Sequence, residues 1–322
     1  MHIPDGFLDG KTAAVAGVIS CAGVGLALRQ VRRELPPRKV PLLGLSAAFL
    51  FAAQMVNFPV AGGTSGHLVG GALVAALLGP GAAVVVVTTV LIVQCFLFQD
   101  GGVLALGANV FNMAIVNSVA GFVIFKTMRR VVPGKRGRVA AMAFAGWCAT
   151  VLAAICCAGQ LAWSGTIAWS AAFPAMTLVH MLIGLGEGVI SALVLLAVER
   201  ARPDLVAAGP HAAGGQRGGE FLGYGLLAAL GVALFVAPFA CAWPDGLDAV
   251  AEKLGFAHKA LAPLVTAPAA DYRMPGIHWA LGATAVAGAI GTLVVFTGSL
   301  LLGRWLVPSS SHHESPLAQP RA

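Results

Sequence analysis

Long stretches with almost no charge decide what this chain can become. Residues 81–98 contain no Asp, Glu, Lys or Arg, and residues 174–198 contain only Glu187. A bilayer core of about 30 Å is crossed by about 20 apolar residues in helical form, so such runs read as membrane-crossing segments. Candidate spans fall at 12–29, 41–58, 64–79, 81–98, 104–125, 139–162, 174–198, 221–242 and 278–302; the third, short and Gly-rich, departs from a plain lipid-facing helix. Charged residues make up 10% of the chain, against roughly 25% in soluble domains. The fold class expected is therefore an all-α membrane protein, a polytopic helical bundle of about seven transmembrane helices with two more in a C-terminal unit.

The net charge of +7 would suggest nucleic acid in a soluble protein. Here the bases cluster between apolar runs: Arg29, Arg32, Arg33, Arg38 and Lys39; then Lys126, Arg129, Arg130, Lys135, Arg136 and Arg138; then Arg200 and Arg202. An outside N-terminus puts all three clusters in the cytoplasm, as the positive-inside tendency requires. The opposite face then carries Asp5, Asp9, Asp100, Asp245, Asp248, Glu252 and Asp271. The six cysteines lie in or beside apolar runs and read as small buried hydrophobes, with no disulfide framework implied. Residues 207–220, Gly- and Ala-rich and without amphipathic period, read as a cytoplasmic linker. The polar tail 306–322 reads as disordered.

Four features carry possible chemistry. Met1-His2 offers an α-amine, a backbone nitrogen and an imidazole Nδ1, placed by covalent connectivity to close two fused chelate rings on one ion; planar nitrogen donors suit Ni(II) or Cu(II). The bland alternative is that His2 is an accident of position. In QMVNFPVAGGTSGHLVGG, residues 54–71, five glycines break helical regularity, which a membrane protein tolerates at depth only where backbone is buried in protein or lines a cavity. His67 lies within that stretch, either facing a polar path or packed with a hydrogen bond. Gln54, Asn57, Thr64 and Ser65 could orient it or act as glue between helices. In QCFLFQDGGVLALGANVFNM, residues 94–113, Gln94, Gln99, Asp100, Asn109 and Asn112 border the outer end of two spans. There Asp100 is a cation-attracting carboxylate or a plain turn residue. His180 and Glu187 share a helix face about 10 Å apart along the axis, too far for joint chelation, and read as a coupling or packing pair. His211, His258, His278, His312 and His313 are weak candidates.

Taken together, MHIPDGFL, the GTSGH stretch, QDGGVLALGANVFNM and HMLIGLGEG resemble the CbiM/NikM family, over residues 1 to about 200 and in order. These are the substrate-binding membrane components of energy-coupling factor (ECF) transporters for cobalt and nickel. The second unit resembles the small PDGLE-type companion subunit through Pro244-Asp245-Gly246-Leu247, with Asp248 where that family usually has Glu. The resemblance implies a natural fusion: a metal-binding component over 1–206, the linker, and a PDGLE-type unit over 221–305. It also implies the metal ligands: the Met1 amine, the His2 amide nitrogen and imidazole, and the His67 imidazole, near-square-planar, with the N-terminal arm folded back into the bundle and stiffened by Pro4. Under it Ni(II) or Co(II) is substrate, nickel first by family habit, and no permanently bound cofactor is expected. It implies as partners a transmembrane coupling subunit and cytoplasmic ATPases, since the chain has no G-x-x-x-x-G-K-[ST] phosphate loop. The expected location is a prokaryotic plasma membrane, in contact with lipid and not with nucleic acid. Two competing readings are an intramembrane serine protease using Ser65 with His180 as base, and an ATP-independent cation permease.

Overall fold

The computed structural model describes residues 1–203 and 217–307. The chain is almost wholly helical: α1 (Gly10–Glu34), α2 (Val40–Gln54), α3 (Gly71–Leu78), α4 (Pro80–Phe98), α5 (Leu106–Val131), α6 (Gly134–Trp163), α7 (Trp169–Ala201), α8 (Arg217–Phe235), the short α9 (Gly246–Lys253) and α10 (Ala280–Leu306). Among the described residues seven helices are long and apolar enough to cross a membrane, five in the first unit and two, Gly219–Phe239 and Ala280–Leu306, in the second.

Local chemistry sets these limits. Asp9 caps α1 by accepting from the Thr12 amide at 3.0 Å. Pro80 begins α4 at the first helical position, where its missing N–H costs nothing. Gln99 ends that helix in the left-handed region at φ 61°. Residues 110–116 of α5 form a π-helical turn. The base clusters at the end of α5 and the start of α6 share one end of the bundle with the end of α7, where Arg138 pairs with Glu199.

Two of the expected spans are cut short. The run 41–58 is helical only to Gln54, and 64–79 is not a span. It comprises a strand, a turn and the eight-residue α3; the strand Thr64–Gly66 pairs antiparallel with Phe58–Val60, with Pro59 opposite Ser65. Gly62, Gly63 and Gly70 all take positive φ there, which an L-residue helix cannot follow. The expected linker also ends early, because Arg217–Glu220 form the first turn of α8. The rest of the linker from residue 207, with His211, lies outside the described residues, as does the expected tail beyond Val307, with His312 and His313; Leu306 at its start still belongs to α10.

The second unit packs against the first along α2, which α8 and α10 flank, and its loop closes over one end of the bundle. The Cys241 amide donates to the Asn57 carbonyl at 2.9 Å, the Ser65 amide to the Pro244 carbonyl at 2.8 Å, and Lys253 Nζ to the Gly62 carbonyl at 2.9 Å. These bonds bring the PDGL turn over the glycine-rich loop.

Candidate metal centre

The first seven residues do not hang free. Met1, Ile3 and Phe7 are 4%, 0% and 2% exposed, as deep as the helix core. Burying a chain end requires partners for its backbone. The Ile3 amide donates to Asn109 Oδ1 at 2.8 Å, and its carbonyl accepts from Asn109 Nδ2 and the Gly102 amide. The Asp5 carboxylate accepts from the amides of Val103, Leu104 and Ala105, capping the approach to α5 from outside that helix. The Asp5 carbonyl in turn accepts from the Leu261 amide of the second unit.

This anchoring carries the Met1 nitrogen to 3.4 Å from His67 Nε2. His67 Nδ1 faces the Leu68 carbonyl at 3.1 Å, and a carbonyl only accepts, so the ring proton sits on Nδ1 and the Nε2 lone pair faces the amine. The His2 and His67 rings stack with centroids 5.4 Å apart. His2 Nε2 lies 3.1 Å from Gln94 Oε1, while Gln94 Nε2 donates to Gln54 Oε1 and Gln54 Nε2 to the Val69 carbonyl. The chain of amides fixes Gln94 as acceptor, so His2 donates through Nε2, and its Nδ1 faces a carboxylate, which only accepts, so that a proton or an ion on Nδ1 holds the contact. That Nδ1 lies 3.1 Å from Asp100 Oδ1, and the other oxygen of Asp100 accepts from the Tyr272 hydroxyl.

Asp245, in the second unit, pairs with the Met1 ammonium. His2, His67 and Asp245 each present a ligand atom within 4.8 Å of the others. Burial is the largest single influence on the amine and lowers its pKa, but the charge and hydrogen bond of Asp245 together with the charges of Asp100 and Asp248 outweigh it, so the amine ends above its ordinary value. Burial is likewise the largest influence on Asp245 and raises it, but the charge and hydrogen bond of the ammonium together with the other neighbours, the Asp248 amide among them, keep that carboxyl below its usual range. A polar cavity of about 620 Å³ runs from exposed Asp248 and Asp271 to buried His2 and His67, past Asp100 and Asp245. Its walls can draw in a cation.

Of the residues singled out in the sequence, Met1, His2, His67, Gln94, Asp100, Gln54 and Asn109 converge on this place. Three others do not orient His67. Ser65 Oγ donates to the Trp243 carbonyl at 2.8 Å, Thr64 Oγ1 is buried without a hydrogen bond among the described residues, and Asn57 engages the second unit through its carbonyl. Among the described residues Ser65 and His180 are not hydrogen-bonded to each other: Ser65 Oγ donates to main-chain carbonyls of the PDGL turn, and His180 Nδ1 to the Met176 carbonyl at 2.8 Å. The nucleophile and base arrangement of a serine protease is thus not formed. Glu187, fully buried, accepts from the amides of Val69 and Gly70 at 2.6 and 2.9 Å and so holds the loop that carries His67. Sequence reading missed Asp245 and Tyr272 as contributors. Only the Asp-Gly-Leu-Asp capping pattern hinted at an ordered carboxylate there: Asp245 caps α9 through the Leu247 and Asp248 amides.

Comparison with known proteins places the same residues in context. The family described as "Cobalt uptake substrate-specific transmembrane region" matches residues 2–205, and the PDGLE domain matches 219–307. The chain is similar to a putative fused nickel transport protein NikMN of Archaeoglobus fulgidus, 37% identical over 313 residues, 95% of this chain and 99% of the relative. It is similar to the cobalt transport protein CbiM of Geobacter sulfurreducens, 31% identical over 280 residues, 80% of this chain and 78% of the relative. Its fold resembles the crystal structure of a transition metal transporter, with TM-score 0.58 and 33% identity, over 63% of this chain and 94% of that one.

Proposed function

The chain belongs to the cobalt uptake substrate-specific transmembrane family, and from that premise we propose that it captures Ni(II) or Co(II) for an ECF-type importer, nickel being the first candidate. The family is one of multi-pass cobalt and nickel transport proteins. The proposed ligands are the Met1 amine, the His2 amide and Nδ1, and His67 Nε2. The observation that supports them is the seating of the amine against the lone pair of His67, 66 residues away, with His2 stacked alongside. Nickel leads because the similar fused proteins are named nickel transporters. In this reading the N-terminus lies outside a prokaryotic plasma membrane, the acidic cavity is the entrance, and separate coupling and ATPase subunits supply the energy.

Binding then exchanges protons for metal. The amine is protonated below a pKa raised above its ordinary 8.0, and the His2 amide must lose its proton too. With two protons released, affinity falls by about a hundredfold per pH unit as pH drops below that value. Metal titrations of the purified chain with a native N-terminus, between pH 6 and 9, measure that slope. A flat profile removes the amine and amide from the ligand set. Mass spectrometry of the same sample identifies the ion and its stoichiometry.

A further inference from the structure

The second unit reaches the metal centre through one side chain. Asp245 pairs with the Met1 ammonium, and its carboxylate, with a ring nitrogen of His2 and one of His67, makes a set of three donors that all lie within 4.8 Å of one another. Two donors held about 2.0–2.2 Å from one small divalent ion stand up to about 4.4 Å apart, so such a set can close on an ion by side-chain movement. The carboxylate is also aimed. Its Oδ1 accepts from the Leu247 and Asp248 amides at 2.8 and 2.9 Å, which leaves Oδ2 facing the amine. The turn that carries it is tied to the strand just before His67: the Ser65 amide donates to the Pro244 carbonyl at 2.8 Å, and Ser65 Oγ to the Trp243 carbonyl. Gly246 lets the turn come this close to α7, since a Cβ there would stand 2.7 Å from Ile183 Cδ1 and 2.8 Å from His180 Cε1. Asp100 is placed differently. It stands 3.1 Å from His2 Nδ1 with its second oxygen held by Tyr272, and it is not part of the set that converges with His67.

We propose that Asp245 is a fifth ligand of the captured ion, bound through Oδ2 outside the plane of the four nitrogens. The inference rests on the function proposed above and adds to it a ligand from the second unit. Charge supports it. Before the ion arrives, Asp245 faces the single positive charge of the ammonium. Binding releases one proton from the amine and one from the His2 amide, so a doubly charged ion on a neutral amine and an amide anion again carries a single positive charge. The same carboxylate balances the site in both states, and no unpaired charge is left in a buried place, where its cost is high. Once the amine has given its lone pair to the ion, the oxygen that touched the amine stands beside the ion itself. With four nitrogens filling the plane, that oxygen is axial. Planar four-nitrogen Ni(II) is diamagnetic, whereas an axial oxygen makes a five-coordinate, paramagnetic ion.

The test loads the full chain, with its native amine, with Ni(II) and reads coordination by X-ray absorption and magnetism by NMR. The parent is expected to hold a five-coordinate, paramagnetic ion. Asp245→Ser keeps an equally good cap for α9 but is too short to reach the ion; it should give a planar, diamagnetic ion and weaken binding by about tenfold or more. Asp100→Asn should stay five-coordinate and paramagnetic. A carboxylate that only holds the ammonium competes with the ion, so its removal would leave affinity unchanged or raise it. That result overturns the proposal, as does a planar, diamagnetic ion in the parent. So does a fifth donor that survives in Asp245→Ser or is lost in Asp100→Asn. Absence of nickel from the parent removes the capture site itself, and the fifth ligand with it. Should Asp245→Ser not fold, Asp100→Asn with carbon-labelled aspartate gives an independent reading by NMR: a carboxyl strongly shifted by bound nickel supports the proposal, and none shifted overturns it.

Discussion

A chain extended by one residue ahead of Met1, or acetylated on its amine, is expected to lose Ni(II) binding by well over a hundredfold while still reaching the membrane. The amine is a proposed ligand, and loss of even an outer partner of a metal ligand costs about 10–100-fold. One added residue moves the amine by up to about 3.8 Å, more than the 3.4 Å that separates it from His67 Nε2. There is little room for the addition, since Met1 is 4% exposed. Blocking the amine also strips Asp245 of its ammonium partner, and breaking a buried pair in this way costs about 3–5 kcal/mol. The blocked chain should therefore melt at a lower temperature as well as bind less. Metal content by mass spectrometry, before and after protease removal of a cleavable extension, measures the first effect. Stoichiometric nickel in the acetylated chain would falsify the chelating role of the amine.

The second large effect is expected at Glu187, which touches no proposed ligand. Its two oxygens are the acceptors for consecutive amides at Val69 and Gly70, two and three residues past His67. Glu187→Ala leaves two buried N–H groups without acceptors, at about 1–3 kcal/mol each. Against a typical total stability of about 5–15 kcal/mol this is a large fraction. Glu187→Gln retains one oxygen but turns an NH2 group toward a backbone N–H. Both variants should lower ion affinity by about 10–100-fold, as loss of support behind a metal ligand does, with Ala the worse. Titration and thermal unfolding on the same samples separate the two losses. Parent-like values in both for Glu187→Ala would show that the loop is held by Gln54 and Asn117 alone.

These two sites mark what could be read from the residues alone and what could not. The long helices were legible because hydropathy adds up locally, and 81–98 and 174–198 appear as α4 and α7 within a few residues. The stretch 64–79 misled for the same reason. Its composition is apolar enough for a span, but its backbone takes a turn whose polar groups are answered by Glu187, Gln54 and Asn117, at sequence distances of 15 to 118 residues. Met1, His2 and His67 were legible as candidate ligands through their donor chemistry and the family resemblance, and the structure brings the three together. Asp245 was not, because its partner lies 244 residues away and nothing in the PDGL turn itself announces an ammonium.

The π turn at 110–116 has a consequence for how the arm and the loop are aligned. Asn109, just before it, grips the backbone of Ile3, and Asn117, just after it, accepts from the Ala72 amide at 3.0 Å. Each residue added to or taken from an α-helix rotates the remainder of that helix by about 100°. The wide turn thus works as a fixed angular offset along one rod, with the chain's first residues clocked to one side of it and the mouth of α3 to the other.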